Sequence, residues 1–202
     1  GGIKIGLIGL HGKFAFYDTI NFKMTQGIEA RNEEEYLRKY IAELEPITDL
    51  IILSIHQGMP GRQSSLGKTD VERSLRKDIM LAKNVPGVDV IISGHAHQGT
   101  PKALVSNGTI IVSTNAYTTE LGKLKIKYDT EKDQIISHSN KLITVFDDEI
   151  EDDPDMLREI KFWQKEVEKI ASIPVFTSTK KLVRAYGKES NMGNLFADAV
   201  AA

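Results

Sequence analysis

The sequence of 202 residues contains no cysteine. This absence excludes disulfide bonds, metal sites built from thiolates, and catalysis by a cysteine nucleophile. It leaves the cellular compartment open, because a cysteine-free chain is compatible with both reducing and oxidising surroundings. Any metal site or catalytic group must therefore be built from histidine, carboxylate, hydroxyl or amine side chains.

The sequence also lacks a long hydrophobic run and an excess of charge of either sign. No stretch approaches the roughly twenty apolar residues that a membrane-spanning helix requires. The 26 basic and 28 acidic residues give a formal net charge of -2, which disfavours nucleic acid and anionic membrane surfaces as partners. Hydrophobic residues at 41% and charged residues at 27% are ordinary for a globular domain with a real core.

The first half of the chain alternates strand and helix patterns. Three short apolar runs predict buried strands, at residues 3–9, 50–55 and 88–92. Asn32 and Glu35 resemble a capping box for one helix, and an apolar stripe over residues 71–82 predicts another. This order of elements predicts a parallel sheet in an α/β fold. Because the chain enters its first strand almost at once, without room for a signal peptide, we expect it to be a fragment of a longer protein.

The second half of the chain predicts a different arrangement. Strand patterns at residues 109–113, 121–128 and 135–145 follow one another without helices, with a polar turn at 129–133, and so indicate antiparallel pairing. An acidic stretch then leads to Pro154, which suits the first position of a long helix, and Ser190 suits the cap of a last one. We therefore divide the chain into residues 1–150, 151–189 and 190–202.

Histidines follow two of the predicted parallel strands. His56 comes directly after the strand at 50–55, and His95 and His97 come directly after the strand at 88–92. Ligands of parallel sheets gather beyond the carboxyl ends of the strands, so we expect these imidazoles to share one rim. Imidazole is a common ligand of zinc, manganese and related ions, and two such ions close together can activate water against a phosphate. The pattern predicts a metal site but supplies no bridging carboxylate.

Other candidate residues carry weaker signals. His11 also follows a strand, but no aspartate stands two places before it, so a structural or supporting role is preferred. His138 lies among polar residues of a predicted strand and is expected to be exposed. The glycine-rich loop that contains Arg62 lacks the Lys-Ser/Thr ending of a phosphate-binding loop and is interpreted as a connecting loop or lid. Gly94 is expected to give the backbone freedom for a sharp turn.

These motifs resemble the calcineurin-like metallophosphoesterases, in the branch of the 5'-nucleotidases and 2',3'-cyclic-nucleotide phosphodiesterases. The most specific part is Gly94-His95-Ala96-His97, which is similar to the Gly-His-x-His motif of that family, and His56 ends a segment like its ligand-histidine segment. The run from Glu189 to Leu195 resembles the linker helix before the family's substrate-binding domain. The resemblance covers nearly the whole chain.

The resemblance implies a fold, a metal site and an activity. The fold would be the second half of a four-layer αββα sandwich, with a mixed sheet and flanking helices, followed by a long helix and a linker helix. His56 and His95 would bind one of two divalent ions, such as Zn or Mn, and His97 the other. The activity would be hydrolysis of nucleotides or other phosphoesters by metal-bound water, in a periplasmic or extracellular protein.

The chain departs from the family in several motifs. It contains no Asp-x-His, Gly-Asp or Asn-His-Glu sequence, so no catalytic residue is assigned and the isolated chain is expected to be inactive. A half sandwich would leave one sheet face open, which predicts a homodimer, a companion chain that covers this face, or a rearranged fold. Three alternatives stay open: a cyclic-nucleotide or nucleotide-sugar hydrolase of the same fold, a non-catalytic metal-binding module, and an α/β scaffold with incidental histidines.

Overall fold

The computed structural model describes residues 2–58, 70–146, 148–185 and 187–202. The glycine-rich loop with Arg62 lies outside these residues, and so does Asp147 of the acidic stretch. The chain forms two compact units, Gly1–Ile150 and Glu151–Ala202. The further division of the second unit at residue 190 stays a prediction.

The secondary structure of the first unit is mixed. Its strands are β1 (Ile5–His11), β2 (Leu50–Gln57), β3 (Val90–His95), β4 (Leu104–Ser106), β5 (Thr109–Ser113), β6 (Glu120–Asp129) and β7 (Gln134–Thr144). Its helices are α1 (Lys13–Thr19), α2 (Glu33–Leu44), α3 (Asp70–Ser74) and α4 (Arg76–Asn84), with short 3-10 turns at Phe22–Met24 and Glu45–Ile47. The second unit contains α5 (Pro154–Ala171) and α6 (Asn191–Ala201).

A five-stranded sheet in the order β1-β2-β3-β5-β4 forms the centre of the first unit. The first four of these strands run parallel, and only β4 is antiparallel to its neighbour β5. Strands β6 and β7 form a separate antiparallel hairpin. The predicted mixed α/β fold with flanking helices is therefore confirmed, whereas the four-layer arrangement stays a prediction.

One face of the sheet is covered by helices. Leu37 and Ile41 of α2 and Leu81 of α4 pack in a buried cluster with Leu53 of β2 and Ile91 of β3. Leu37, Leu53 and Ile91 are completely buried. Each such side chain contributes about 1.5–3 kcal/mol through removal of apolar surface from water. This face forms the core of the unit and fixes the parallel strands in register.

The opposite face is covered only in part. Val90, Ile110 and Val112 are buried with side chains of the β6–β7 hairpin packed against them. Ile5 and Leu7 on β1 are 55% and 69% exposed. The alternation of β1, which buries Gly6 and Ile8 and exposes Ile5 and Leu7, is the pattern of a strand packed on one side.

The elements differ from the sequence-based expectations at identifiable places. The helix predicted over residues 71–82 is two helices, α3 and α4, separated at Leu75 with φ -97° and ψ 16°. The strand at 109–113 pairs parallel with β3 on one edge, so antiparallel pairing begins only at its other edge. Helix α1 and strand β4 were not predicted, because each is too short to show a clear period.

Helix ends confirm the cap predictions. Asn32 accepts a hydrogen bond from the Glu35 backbone N–H at 3.1 Å. In the second unit, α5 begins at Pro154, and the Ser190 side chain accepts a hydrogen bond from the Gly193 N–H at 3.1 Å at the start of α6.

Among the described residues, no helix is long and apolar enough to cross a membrane.

Candidate functional site

Three parallel strands bring histidines to the same edge of the sheet. His11 is in register with His56, and Gln57 is in register with His95. The ring centroids of His11 and His56 lie 5.2 Å apart, and those of His56 and His95 lie 5.0 Å apart. The side chains of His11, His56, His95 and His97 are called the histidine rim below.

The backbone of the last strand changes direction at this rim. His95 and His97 have φ values of 74° and 53°, in the left-handed region that residues other than glycine rarely adopt. Ala96 between them is 2% exposed and packs in the core on the helix side. Such strained residues cost about 1–3 kcal/mol each and concentrate at functional sites. The turn therefore places the Ala96 methyl group in the core, between two histidines with left-handed backbone conformations.

Gly94 is required for the space that it leaves. A Cβ atom at this position would lie 3.1 Å from His56 Nδ1, and its φ is not in the left-handed region. The expectation that Gly94 supplies backbone freedom is therefore wrong, because the turn is made by His95 and His97. Gly94 instead lets the His56 ring lie against the neighbouring strand.

The electrostatic environment keeps the central imidazoles neutral. Loss of water around the His56 ring lowers its pKa, and the neighbouring histidines His95, His11 and His97 lower it further. Burial also lowers the pKa of His95, against the opposing effect of the Asp18 carboxylate. A neutral imidazole has a lone pair free for a metal ion, so both rings are in the protonation state that coordination requires.

His95 has one ring nitrogen without a hydrogen-bond partner among the described residues. Its Nε2 atom is buried, and the nearest acidic oxygen, Oδ2 of Asp18, is 3.7 Å away. A buried polar atom without a partner is costly, and its presence indicates an unseen ligand or a contact that is not fully formed. The His97 side chain is exposed, and its ring centroid lies 5.6 Å from that of Tyr117.

The donor set is incomplete for a metal centre. Within residues 2–58, 70–146, 148–185 and 187–202, no three His, Asp or Glu side chains are arranged to hold an ion. Two neighbouring imidazoles whose pKa values are lowered fit a zinc- or manganese-like ion in their chemistry. Oxygen ligands are what the described donor set lacks. The assignment of His56, His95 and His97 as metal ligands stays a prediction.

Comparison with known proteins finds relatives and solved structures that this chain resembles. No family model matches the chain. It is 30% identical over 135 residues to the trifunctional nucleotide phosphoesterase YfkN of Bacillus subtilis, covering 62% of this chain and 9% of that protein. It is 26% identical over 147 residues to 5'-nucleotidase of Bos taurus, covering 61% of this chain and 25% of the relative. The solved structure of sulfate thiohydrolase SoxB from Thermus thermophilus superposes with a TM-score of 0.69 at 18% identity, over 99% of this chain and 34% of that one.

The neighbours point to the calcineurin-like phosphoesterase / 5'-nucleotidase family. The match lies in the C-terminal half of the family's domain. The chain spans a quarter or less of the length of these two curated relatives. The structural likeness to SoxB shows the shared fold, with a mostly parallel sheet flanked by helices.

A buried polar network lies close to the histidine rim. The Gln57 Nε2 atom donates to Asp78 Oδ1 at 3.4 Å, and Gln57 is in register with His95. Burial raises the pKa of Asp78 to about 7, although hydrogen bonds from Ser93 and Gln57 oppose the shift. Asp78 Oδ2 and Ser74 Oγ have no partner among the described residues. Asp78 is therefore largely protonated in mildly acidic solution.

Sequence reasoning missed two acidic residues of this region. Asp78 occupies a core-facing position of α4, three residues before Leu81, where an apolar side chain is expected. A carboxylate at a position that should be apolar could have identified Asp78 as a candidate from the sequence. Asp18 lies on the short helix α1, and nothing in its local sequence links it to His95. His11 was assigned a supporting role, and its ring does lie beside His56. His138 is exposed, as predicted.

Proposed function

We propose that this chain is the metal-binding second half of a phosphohydrolase that acts on nucleotides. The observation that carries the proposal is the pairing of the His56 and His95 rings at 5.0 Å, where adjacent parallel strands end. The similarity to nucleotide phosphoesterase YfkN and to 5'-nucleotidase supports the substrate class. The proposed reaction class is hydrolysis of a phosphoric ester.

Each histidine has a proposed role. His56 and His95 hold one divalent ion, and His97, on the other side of the turn, holds a second. When bound, a pair of such ions polarises a phosphate and supplies hydroxide near neutral pH. The protein's own contribution is to lower the pKa values of His56 and His95 through loss of water, which favours their neutral forms. It also packs Ala96, between His95 and His97, into the core.

Oxygen ligands must come from a segment outside the described residues. The sequence contains no Asp-x-His, Gly-Asp or Asn-His-Glu motif, and these are the motifs that the family resemblance would require. The exposed apolar side chains of Ile5 and Leu7 lie on the face where such a segment would pack. We therefore expect the 202-residue chain to bind metal weakly and to hydrolyse nucleotides poorly by itself.

A comparison of three substrates would identify the kind of phosphoester that the protein hydrolyses. A longer protein that contains this chain should be tested with AMP, 2',3'-cyclic AMP and UDP-glucose. Preference for AMP supports a 5'-nucleotidase, whereas preference for either of the other two supports the phosphodiesterase or nucleotide-sugar alternative. A periplasmic or extracellular location belongs to the same proposal and rests on the family resemblance.

A second candidate follows from the incomplete donor set. The chain would then be a non-catalytic module that binds metal only when a companion chain or a second copy completes the site. It predicts metal binding without turnover in every assembly that contains the chain. Robust hydrolysis by a longer protein, lost on His95→Ala, would refute this candidate.

Metal binding is the direct test. The chain is titrated with Zn²⁺ while histidine signals are followed by NMR, for the parent and for His56→Ala, His95→Ala and His97→Ala. We expect each substitution to weaken binding, because each removes one imidazole ligand. His138→Ala is the matched control, since His138 is exposed on a strand of the separate hairpin. Equal Zn²⁺ affinity for His95→Ala and His138→Ala would refute the proposal.

A further inference from the structure

In the described residues, Asp18 is the one acidic side chain in close contact with an imidazole nitrogen of the histidine rim. Its Oδ2 atom lies 3.7 Å from Nε2 of His95. The His95 side chain is only 6% exposed, whereas that of Asp18 is 49% exposed. The distance exceeds that of a hydrogen bond, so the two atoms are close to each other but not bonded.

Helix α1 is fixed to the rim and not free to move away. The backbone N–H of Gly12, just before α1, donates to the carbonyl of His56 at 3.0 Å. A Cβ atom on Gly12 would lie 2.4 Å from Gln57 Cβ, so only glycine permits this close approach. Ala15 is completely buried. Contacts of Gly12 with the end of β2 therefore fix the start of the helix that places Asp18 near His95.

Buried imidazoles need a partner on each polar nitrogen. His95 Nε2 has none among the described residues, and burial of a polar atom without a hydrogen bond destabilises the folded state. The other groups that act electrostatically on His95 are His97, His11 and Lys77, and the Lys77 Nζ atom lies 3.9 Å from the Phe14 ring centroid. The ammonium group of a lysine has no lone pair, so it cannot accept a hydrogen bond from Nε2–H. The half-exposed Asp18 carboxylate can, after a small side-chain rotation.

We propose that Asp18 is a positioning residue that accepts a hydrogen bond from His95 Nε2–H and so leaves Nδ1 as the nitrogen that binds the ion. The inference rests on the proposed function, because it assumes that His95 is a ligand. Carboxylates that hold the second nitrogen of a metal-binding histidine fix its tautomer and orientation, and their loss weakens metal affinity about 10- to 100-fold.

The first experiment reads the tautomer of His95 without metal. Imidazole ¹⁵N shifts of the 202-residue chain at neutral pH distinguish a protonated nitrogen from one with a free lone pair. We expect Nε2 of His95 to carry the proton in the parent chain and a mixture of tautomers in Asp18→Asn. A parent chain with its proton on Nδ1 overturns the inference, whether or not the variant folds.

The second experiment measures Zn²⁺ affinity for the same proteins. We expect Asp18→Asn to lose about 10- to 100-fold, Asp18→Glu to recover part of the loss, and the exposed control Glu29→Gln to match the parent. If His95→Ala weakens binding and Asp18→Asn does not, the inference fails and the proposed function stands. If His95→Ala leaves binding intact, the proposed function itself fails. A Zn²⁺-bound spectrum with the ion on Nε2 overturns the inference, because Asp18 and His95 would then share the ion.

Discussion

The buried carboxyl group of Asp78 makes a strong prediction about stability and pH. Asp78 is fully buried and its pKa is raised from 3.8 to about 7. Because the folded state binds this proton more tightly than the unfolded state, the contribution to stability is complete below about pH 4 and is lost as the pH rises through 7. A difference of about 3 pKa units corresponds to about 4 kcal/mol in total.

Replacement of Asp78 by asparagine removes this titration and keeps the shape of the side chain. The parent chain should lose about 2–3 kcal/mol through Asp78 between about pH 5 and pH 8, and the variant should not. Asp78→Asn should therefore have a larger free energy of unfolding than the parent at about pH 8, and this advantage should be smaller at about pH 5. Other titrating groups, including Asp89, cancel in the comparison because both proteins contain them.

Urea titrations followed by methyl NMR signals of Leu53 and Ile91 measure this difference, because both side chains lie in the same buried cluster of the first unit. Glu29→Gln serves as a control, since its exposed carboxylate has no desolvation to lose. If the stability difference between Asp78→Asn and the parent is the same at both pH values, the carboxyl group is ionised and compensated in the folded state. The assignment of a protonated Asp78 would then be wrong.

Two further substitutions test the site and the core. Gly94→Ala should displace the His56 ring, because its Cβ atom would lie 3.1 Å from Nδ1, and should reduce Zn²⁺ affinity about 2- to 10-fold, as expected for an off-rotamer side chain. Gly9→Ala is its control, with no atom within 4 Å of the new Cβ, and an equal loss of affinity in both variants would contradict the explanation. Leu53→Ala should cost about 2–5 kcal/mol of unfolding free energy in urea titrations, because Leu53 is 0% exposed. Leu7→Ala, at 69% exposure, should cost less than about 1 kcal/mol, and similar losses for both would show that the β1 face is covered in solution.

Local patterns in the sequence were sufficient for most of the fold. The predicted strand at residues 109–113 has the same limits as β5, and Asn32, Pro154 and Ser190 mark the starts of helices as expected. These signals are short-range, since caps and apolar runs depend on neighbours a few residues away. Helix α1 and the break at Leu75 escaped prediction because packing against the sheet, not local preference, stabilises them.

The site was predictable only in its histidines. His56 and His95 follow apolar runs that the sequence shows to be strands, and parallel strands end at one edge, so their meeting could be expected. The role of Gly94 was misread, because its contact with His56 comes from the neighbouring strand, almost forty residues away in sequence. Asp18 and Asp78 gained their surroundings from tertiary packing in the same way.

The sequence by itself determined the order of the longer strands and helices, the absence of thiol chemistry and the presence of imidazoles at strand ends. The tertiary structure decided which groups touch: Asp18 faces His95, Gly94 makes room for His56, and Asp78 lies buried beneath Gln57. The physical reason is that period and capping act within a few residues, whereas desolvation and contact depend on segments that meet only when the sheet is assembled.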